Sequence, residues 1–427
     1  MRLKSRASKT LILCLTALCC KAGSAGAQFV QYTPPGGPEE EAETRQERLA
    51  RELKEARYRL GPVRVAPWAT LRDIAYVRSV VNTAQKTPDD FTATAGAGFR
   101  AYLRNGPKAT WSLQVLPEYV WWQTQTERRQ LNGRYLLGFY GYFNHLTVEA
   151  RAGRQQQLLV VSPEVPVPVS SRSDGGELLT ELKLTGTLSA FGSFAFNRQN
   201  NVVEGTSDPR TGDLRRLDRD ERVARTGLRW RPSPVWTFGL GAERSEADFL
   251  RGEIDRSNSG TSPVAEVRYL SHRIGFQVEA ADRSLRASRG SEFVPFDGVT
   301  GNAAISLRSL GRVGAILYAS RNLEYSVSPS YAYLLDDRLG AAVTVGLGLR
   351  FQTRVFAEVG TIDYTPFAGT QGRNEDLSSY GGSLNFNLRP GLILGIQGMR
   401  SRFGTNLAAG DRSYTSVGAT LNLTGLP

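Results

Sequence analysis

The side chains in this chain that could do chemistry are mostly arginines and glutamates set at alternate positions. Arg100, Arg151, Arg225, Arg229, Arg231, Arg268, Arg273, Arg350 and Arg389, together with Lys183, fall on one parity of their local segments. Glu149, Glu181, Glu243, Glu266 and Glu279 share that parity, so cations outnumber anions ten to five. If the segments are strands, alternate side chains occupy one face. Such a face lining a channel would focus a positive potential and favour anionic solutes or sugar acids. A competing reading pairs these charges with neighbours on adjacent strands, Glu149 and Arg151 or Glu266 and Arg268 among them, which stiffens a wall and selects nothing. Residues 213–225, DLRRLDRDERVAR, form the densest charge cluster. It suits an anionic glycan or a lipopolysaccharide phosphate, although a solvated loop is the commoner role of such a run.

Other chemistry is thinly provided. A serine nucleophile needs a histidine base beside it, and the chain has only His145 and His272. Both fall at predicted tight turns, and two histidines argue against a His-based metal site. Asp363 and Glu375 flank a long polar segment, and paired carboxylates can hydrolyse a glycoside. Nothing in their spacing sets that pair apart. Cys14, Cys19 and Cys20 are the only cysteines. No catalytic residue, cofactor or metal ligand is assigned, and the expectation is a protein that is not an enzyme.

The N-terminal segment supplies an address. Arg2, Lys4, Arg6 and Lys9 precede an apolar stretch over residues 11–20, too short to span a bilayer, and Ala25-Gly26-Ala27 is a small-x-small cleavage site. Residues 1–27 therefore read as a secretory signal peptide leaving Gln28 first. Its removal takes away every cysteine, and with them disulfides and thiolate chemistry. The formal charge falls from +12 to +7, because the segment holds five basic residues and no acidic one. That modest excess is no nucleic-acid signature in a secreted chain. Residues 28–66 form a second unit, with a linker at Pro34-Pro35-Gly36-Gly37-Pro38 followed by charged helix formers over residues 39–59. Leu49, Leu53, Ala56 and Leu60 give a narrow apolar stripe. The stripe predicts a short periplasmic helix that plugs the barrel or meets a partner; the alternative is a solvated helix.

Residues 67–427 must position the charged face, and their patterning says how. Residues 339–351, LGAAVTVGLGLRF, put Leu339, Ala341, Val343, Val345, Leu347, Leu349 and Phe351 on one parity and small or polar residues with Arg350 on the other. The same alternation runs through Phe91, Ala93, Ala95, Ala97, Phe99, Ala101 and Leu103, and through Trp236, Phe238, Leu240 and Ala242. A mean hydropathy of −0.31 is therefore uninformative, since half of each strand faces water. A membrane strand needs about 9–11 residues and lipid tolerates no open sheet edge, so the repetition implies a closed barrel. Tight turns at Asn144-His145, Ser189-Ala190, Pro232-Ser233-Pro234, Ser271-His272 and Arg389-Pro390-Gly391 alternate with polar loops at residues 162–176, 204–219, 250–261, 287–298 and 365–377. Counting hairpins from both ends leaves a parity clash between Leu310 and Gln352. The expected fold is an all-β transmembrane antiparallel barrel of about 18 strands, within a range of roughly 16–20. Trp111, Tyr119, Trp121, Trp122, Tyr135, Tyr140, Trp230, Trp236, Tyr331 and Tyr333 fall near strand ends, where interfacial girdles form. Residues 416–423, SVGATLNL, fit the polar-x-Gly-x-x-apolar-x-apolar pattern that barrel assembly machinery recognises in a last strand, without the usual terminal aromatic.

One stretch carries a family likeness. Leu71-Arg72-Asp73-Ile74-Ala75-Tyr76 with Asn82, then Asp89-Asp90-Phe91-Thr92, Glu118-Tyr119, Glu127-Arg128 and Leu131-Asn132-Gly133 resemble an outer-membrane β-barrel porin family linked to exopolysaccharide biosynthesis and exosortase systems. The likeness covers roughly residues 70–250, and Val81-Asn82-Thr83 departs from the family's Asn-Val pair. It has no catalytic residue to carry over and implies a role in moving or organising secreted polysaccharide. The leading reading is a pore or conduit in the Gram-negative outer membrane for exopolysaccharide or small hydrophilic, anionic solutes, with Arg225, Arg229, Arg268 and Arg350 as foremost wall residues. A closed barrel acting through its loops is second, and an outer-membrane hydrolase third. Expected partners are outer-membrane lipid and lipopolysaccharide, the assembly machinery, polysaccharide and periplasmic export components, with no nucleic acid.

Overall fold

A computed structural model describes residues 35–37, 45–78, 90–165, 169–202, 213–309, 312–348, 350–389, 392–407 and 411–424. The signal segment, Asn82, Asp89 and the last three residues lie outside these. The one α-helix among the described residues, α1 (Arg45–Glu55), ends four residues before the 39–59 stretch the sequence suggests, whose residues 39–44 lie outside the described ones. It precedes a three-residue strand, β1 (Tyr58–Leu60), which turns through Gly61 at φ 61° into β2 (Val63–Arg78). The barrel thus starts at Val63, a few residues before the expected position 67.

From β2 the chain meanders through β3 (Asp90–Asn105), β4 (Ala109–Trp122), β5 (Gln130–Tyr142), β6 (Leu146–Leu159) and β7 (Val169–Lys183). Next come β8 (Leu188–Val202), β9 (Arg219–Ser233), β10 (Trp236–Phe249), β11 (Asn258–Leu270), β12 (Ile274–Ala287) and β13 (Phe296–Ser309). The circuit ends with β14 (Val313–Tyr325), β15 (Tyr331–Leu347), β16 (Phe351–Pro366), β17 (Arg373–Arg389), β18 (Leu392–Thr405) and β19 (Arg412–Thr424). Each pairs antiparallel with the next, and β19 pairs with β2, Val417 opposite Tyr76. The result is a closed antiparallel barrel of 18 strands, β2 to β19. Closure removes the sheet edge. Short turns lie at one end, where β2 begins and β19 ends, and long loops at the other.

The period-2 pattern sets the faces. Leu228, Leu240, Val355 and Val359 point outward and are at least half exposed, whereas Arg225, Glu243 and Glu358 point inward and are buried. An exposed apolar band all round a barrel is stable only in lipid. At the short-turn end Trp230, Trp236, Phe238 and Tyr269 form an outer aromatic group with ring centroids 4.6–5.5 Å apart. At the long-loop end the same outer face turns charged, with Arg198 bidentate to Asp220 at 2.6 Å.

The parity clash has a geometric cause. Residues 339–351 are not one strand: β15 ends at Leu347, and a turn with Gly348 at φ 70° leads into β16. Leu347 pairs directly with Phe351. Partners four residues apart share a face, so the alternation passes through this turn without changing phase. Several expected loops are also shorter, because residues 169–176, 258–261 and 373–377 continue as strand.

Candidate functional site

Charged side chains converge in the lumen. In its long-loop half they sit among apolar clusters, one along β15 to β18 with Leu334, Ile362, Leu377 and Phe403, and a larger one beside it. Val161 and Val165, from the segment after β6, pack with Leu214 and Leu217, which begin the charged run before β9. Side chains from β7, β10 and β12 to β15 join them, including Val169, Ala247, Leu285, Phe296, Leu323 and Tyr333. The run at 213–225 is therefore no solvated loop. Two buried leucines fix it in an apolar core, and Arg225 belongs to the wall.

The segment after β6 also reaches across the lumen. Glu164, at its tip, accepts hydrogen bonds from Ser326 Oγ at 3.0 Å and from the Val327 amide, and Arg373 approaches to 3.6 Å. Arg412 donates to the Glu164 carbonyl at 2.9 Å. The segment thus spans from β6 and β7 to β17 and β19. The inner face of β3 to β5 near the long loops is covered as well, with Thr94, Val120, Trp122 and Asn132 all buried.

Four of the nine expected wall arginines, Arg151, Arg225, Arg229 and Arg231, are neutralised. Arg225 bridges Glu243 at 3.1 Å and also pairs with Glu279, while Arg283 holds the other Glu243 oxygen at 3.2 Å. Arg229 pairs with Glu266 and, at 2.9 Å, with Glu181, which Arg231 also grips. Arg151 pairs with Glu177. Arg268 is half-buried on the inner face near the short turns. Arg273 and Arg350 are corrections to the expected wall: β11 and β15 end before them, and both sit exposed in turns. Arg389 and Lys183 are exposed end residues of β17 and β7, on the rim.

The wall running from β17 through β19 to β5 has a different character. Arg373 and Arg412 share Glu375 near the long loops, each at 2.6 Å. Lower down, Arg72 meets Glu118 at 2.6 Å on the faces of β2 and β4. Arg134 on β5, among the described residues, has neither an ion-pair nor a hydrogen-bond partner. Arg100 on β3 follows nearer the short turns; its Nε is buried without a partner, and its Nη1 lies 3.9 Å from Glu52 of α1. Arg72, Arg134, Arg373 and Arg412 were missed in the sequence. At Arg134 the signal is blurred, because Leu136 and Tyr140 place apolar bulk on the inner parity of β5.

The enzymatic candidates separate. Asp363 faces outward, where Asn374 donates to it, whereas Glu375 faces inward. Opposite faces of one sheet cannot hold a carboxylate pair on one substrate. His145 and His272 are exposed in short turns. The residues behind the family likeness do structural work. Asp90 accepts the Thr124 and Gln125 amides at 3.0 and 2.9 Å, and buried Asn132 accepts from Ser170 at 3.1 Å.

With the closed ring and its charged lumen established, known structures supply a counterpart. Pseudomonas aeruginosa OccK2 (OpdF), solved in complex with glucuronate, superposes over 85% of this chain and 98% of its own, with a TM-score of 0.51 at 14% identity. A BenF-like porin from Pseudomonas fluorescens Pf-5 covers 84% and 98%, with a TM-score of 0.51 at 12% identity. The chain has the fold of an outer-membrane porin. No family model and no curated protein matches its sequence. At these identities the likeness concerns the barrel itself.

Proposed function

We propose that this barrel is an outer-membrane pore for small hydrophilic solutes, with a preference for anions. The observation that carries the reading is the set of arginines on the inner face of β2, β5 and β3: Arg72, Arg134 and Arg100 lie at successive heights toward the short turns, below Arg373 and Arg412, which hold Glu375. Arg134 brings no counter-charge of its own among the described residues, so a passing carboxylate supplies it. Glucuronate, the ligand of the OccK2 structure, belongs to this class of solute. The in-folded segments favour solutes of sugar-acid size over a polysaccharide chain, whose passage would need a wider bore.

The test is planar-bilayer recording with ion-selectivity measurement. Discrete anion-preferring steps are expected, and Arg134→Gln should lower the anion-to-cation permeability ratio by roughly two-fold or more, as the loss of one lining charge does in a narrow field-focused pore. Steps with unchanged selectivity in Arg134→Gln would remove the arginine wall from the account. A barrel silent under all conditions would favour action through the loops instead.

A further inference from the structure

At the short-turn mouth α1 lies across the lumen, against β2, β3 and β5. Leu49 and Ala56 are buried with Tyr102, and Leu53 packs there beside Ala66, Tyr140 and Tyr142. Arg64 donates to the Leu53 carbonyl at 3.1 Å. At the start of the helix Arg45 reaches Glu149 and Glu177, each at 3.2 Å. Near its end Tyr102 Oη donates to Glu52 at 2.9 Å.

The chain before the helix is held elsewhere. The Gly36 amide donates to Glu358 at 3.0 Å and its carbonyl accepts from Arg354 at 2.7 Å, both on β16. Strands β7, which carries Glu177, and β16 stand nine apart in the 18-membered ring, so they are diametrically opposite. Residues 36 and 45 are therefore anchored on opposite walls. Beside its apolar contacts, the ties at the two ends of this stretch are polar and charged, which makes them exchangeable with ions in solution.

We infer that α1 is an internal blocker of the pore, with the Glu52 carboxylate standing beside Arg100 where a passing anion would bind. Of Arg72, Arg134 and Arg100, Arg100 is the nearest to the mouth. Glu52 at 3.9 Å is close enough to screen it yet forms no tight hydrogen bond, so an incoming carboxylate competes for the same guanidinium. Displacing the helix then exposes Arg100 and clears the exit together. The inference rests on the pore reading above.

The experiment uses full-length protein isolated from membranes and reconstituted in a planar bilayer. One variant, Arg45→Ala with Glu52→Gln, removes the charged ties. A second, Leu53→Cys with Ala66→Cys, is joined by a short reducible bis-maleimide that holds the helix in the mouth. The untied variant should conduct several-fold more than the parent, and cross-linking should lower conductance several-fold, with recovery on reduction. If the parent conducts and neither change alters its conductance, the blocker is refuted while the pore stands. If the parent, the untied variant and the reduced cysteine pair are all silent, the pore reading itself fails and takes this inference with it.

Discussion

Glu243 shows what a single residue does in this lumen. It is fully buried on β10 and holds two guanidinium groups, Arg225 at 3.1 Å and Arg283 at 3.2 Å, while Arg225 also engages Glu279. A buried pair adds little net stability over an apolar replacement, but deleting one partner strands the other charge at a cost of about 3–5 kcal/mol. Close packing around the network needs absent side chains too: a Cβ at Gly239 would fall 2.1 Å from the Glu266 side chain. Glu243→Ala should therefore lower the urea midpoint of the barrel in lipid vesicles well below that of the parent. An unchanged midpoint would mean that water reaches Arg225 and Arg283 and that the network is not sealed.

At the scale of elements, the in-folded segment after β6 makes the clearest pH prediction. Burial raises the Glu164 carboxyl above the ordinary carboxylate range, outweighing the Val327 amide, Arg373 and Ser326, which act to lower it. A carboxyl raised in this way stabilises the docked segment fully below its free value and loses that contribution as pH rises through the docked value. Current fluctuations from the segment should become rarer as pH falls from neutral toward about 4, the free value. Glu164→Gln should abolish that dependence; a parent and variant with the same pH profile would place the titration elsewhere. Such contacts were invisible in the sequence. Alternation records only which way a side chain points, so the strands of β3 or β10 could be read directly, and so could their inward arginines. Whether an inward arginine is neutralised depends on the register of the neighbouring strand, which sets Arg229 near Glu266 and leaves Arg134 alone. The turn at Gly348 escaped for a related reason, since it preserves phase. Leu214 and Leu217 looked like stray leucines in a charged run until long-range folding brought them against Leu323 and Tyr333.

For the whole molecule, the decisive property is that its outside and inside obey opposite rules. On β10 the outer face reads Trp236, Phe238, Leu240 and Ala242 before becoming charged at Arg244 and Glu246. The aromatic end marks one interface and the charged end the other, which puts Leu240, 70% exposed, near mid-membrane. An arginine there costs about 2–4 kcal/mol when it faces lipid at the bilayer midplane, and less than half of that near an interface. On the same strand the lumen already carries Glu243, so a charge two or three residues away is tolerated if it points inward. Leu240→Arg should reduce the barrel's folding stability in vesicles by that amount, measured from urea titration followed by heat-modifiable mobility on gels. Ser245→Arg, facing the lumen beyond Glu243, should instead alter conductance with a smaller loss of stability. Equal losses at both sites would mean that the two faces meet the same solvent, and the membrane assignment of the apolar band would have to be withdrawn.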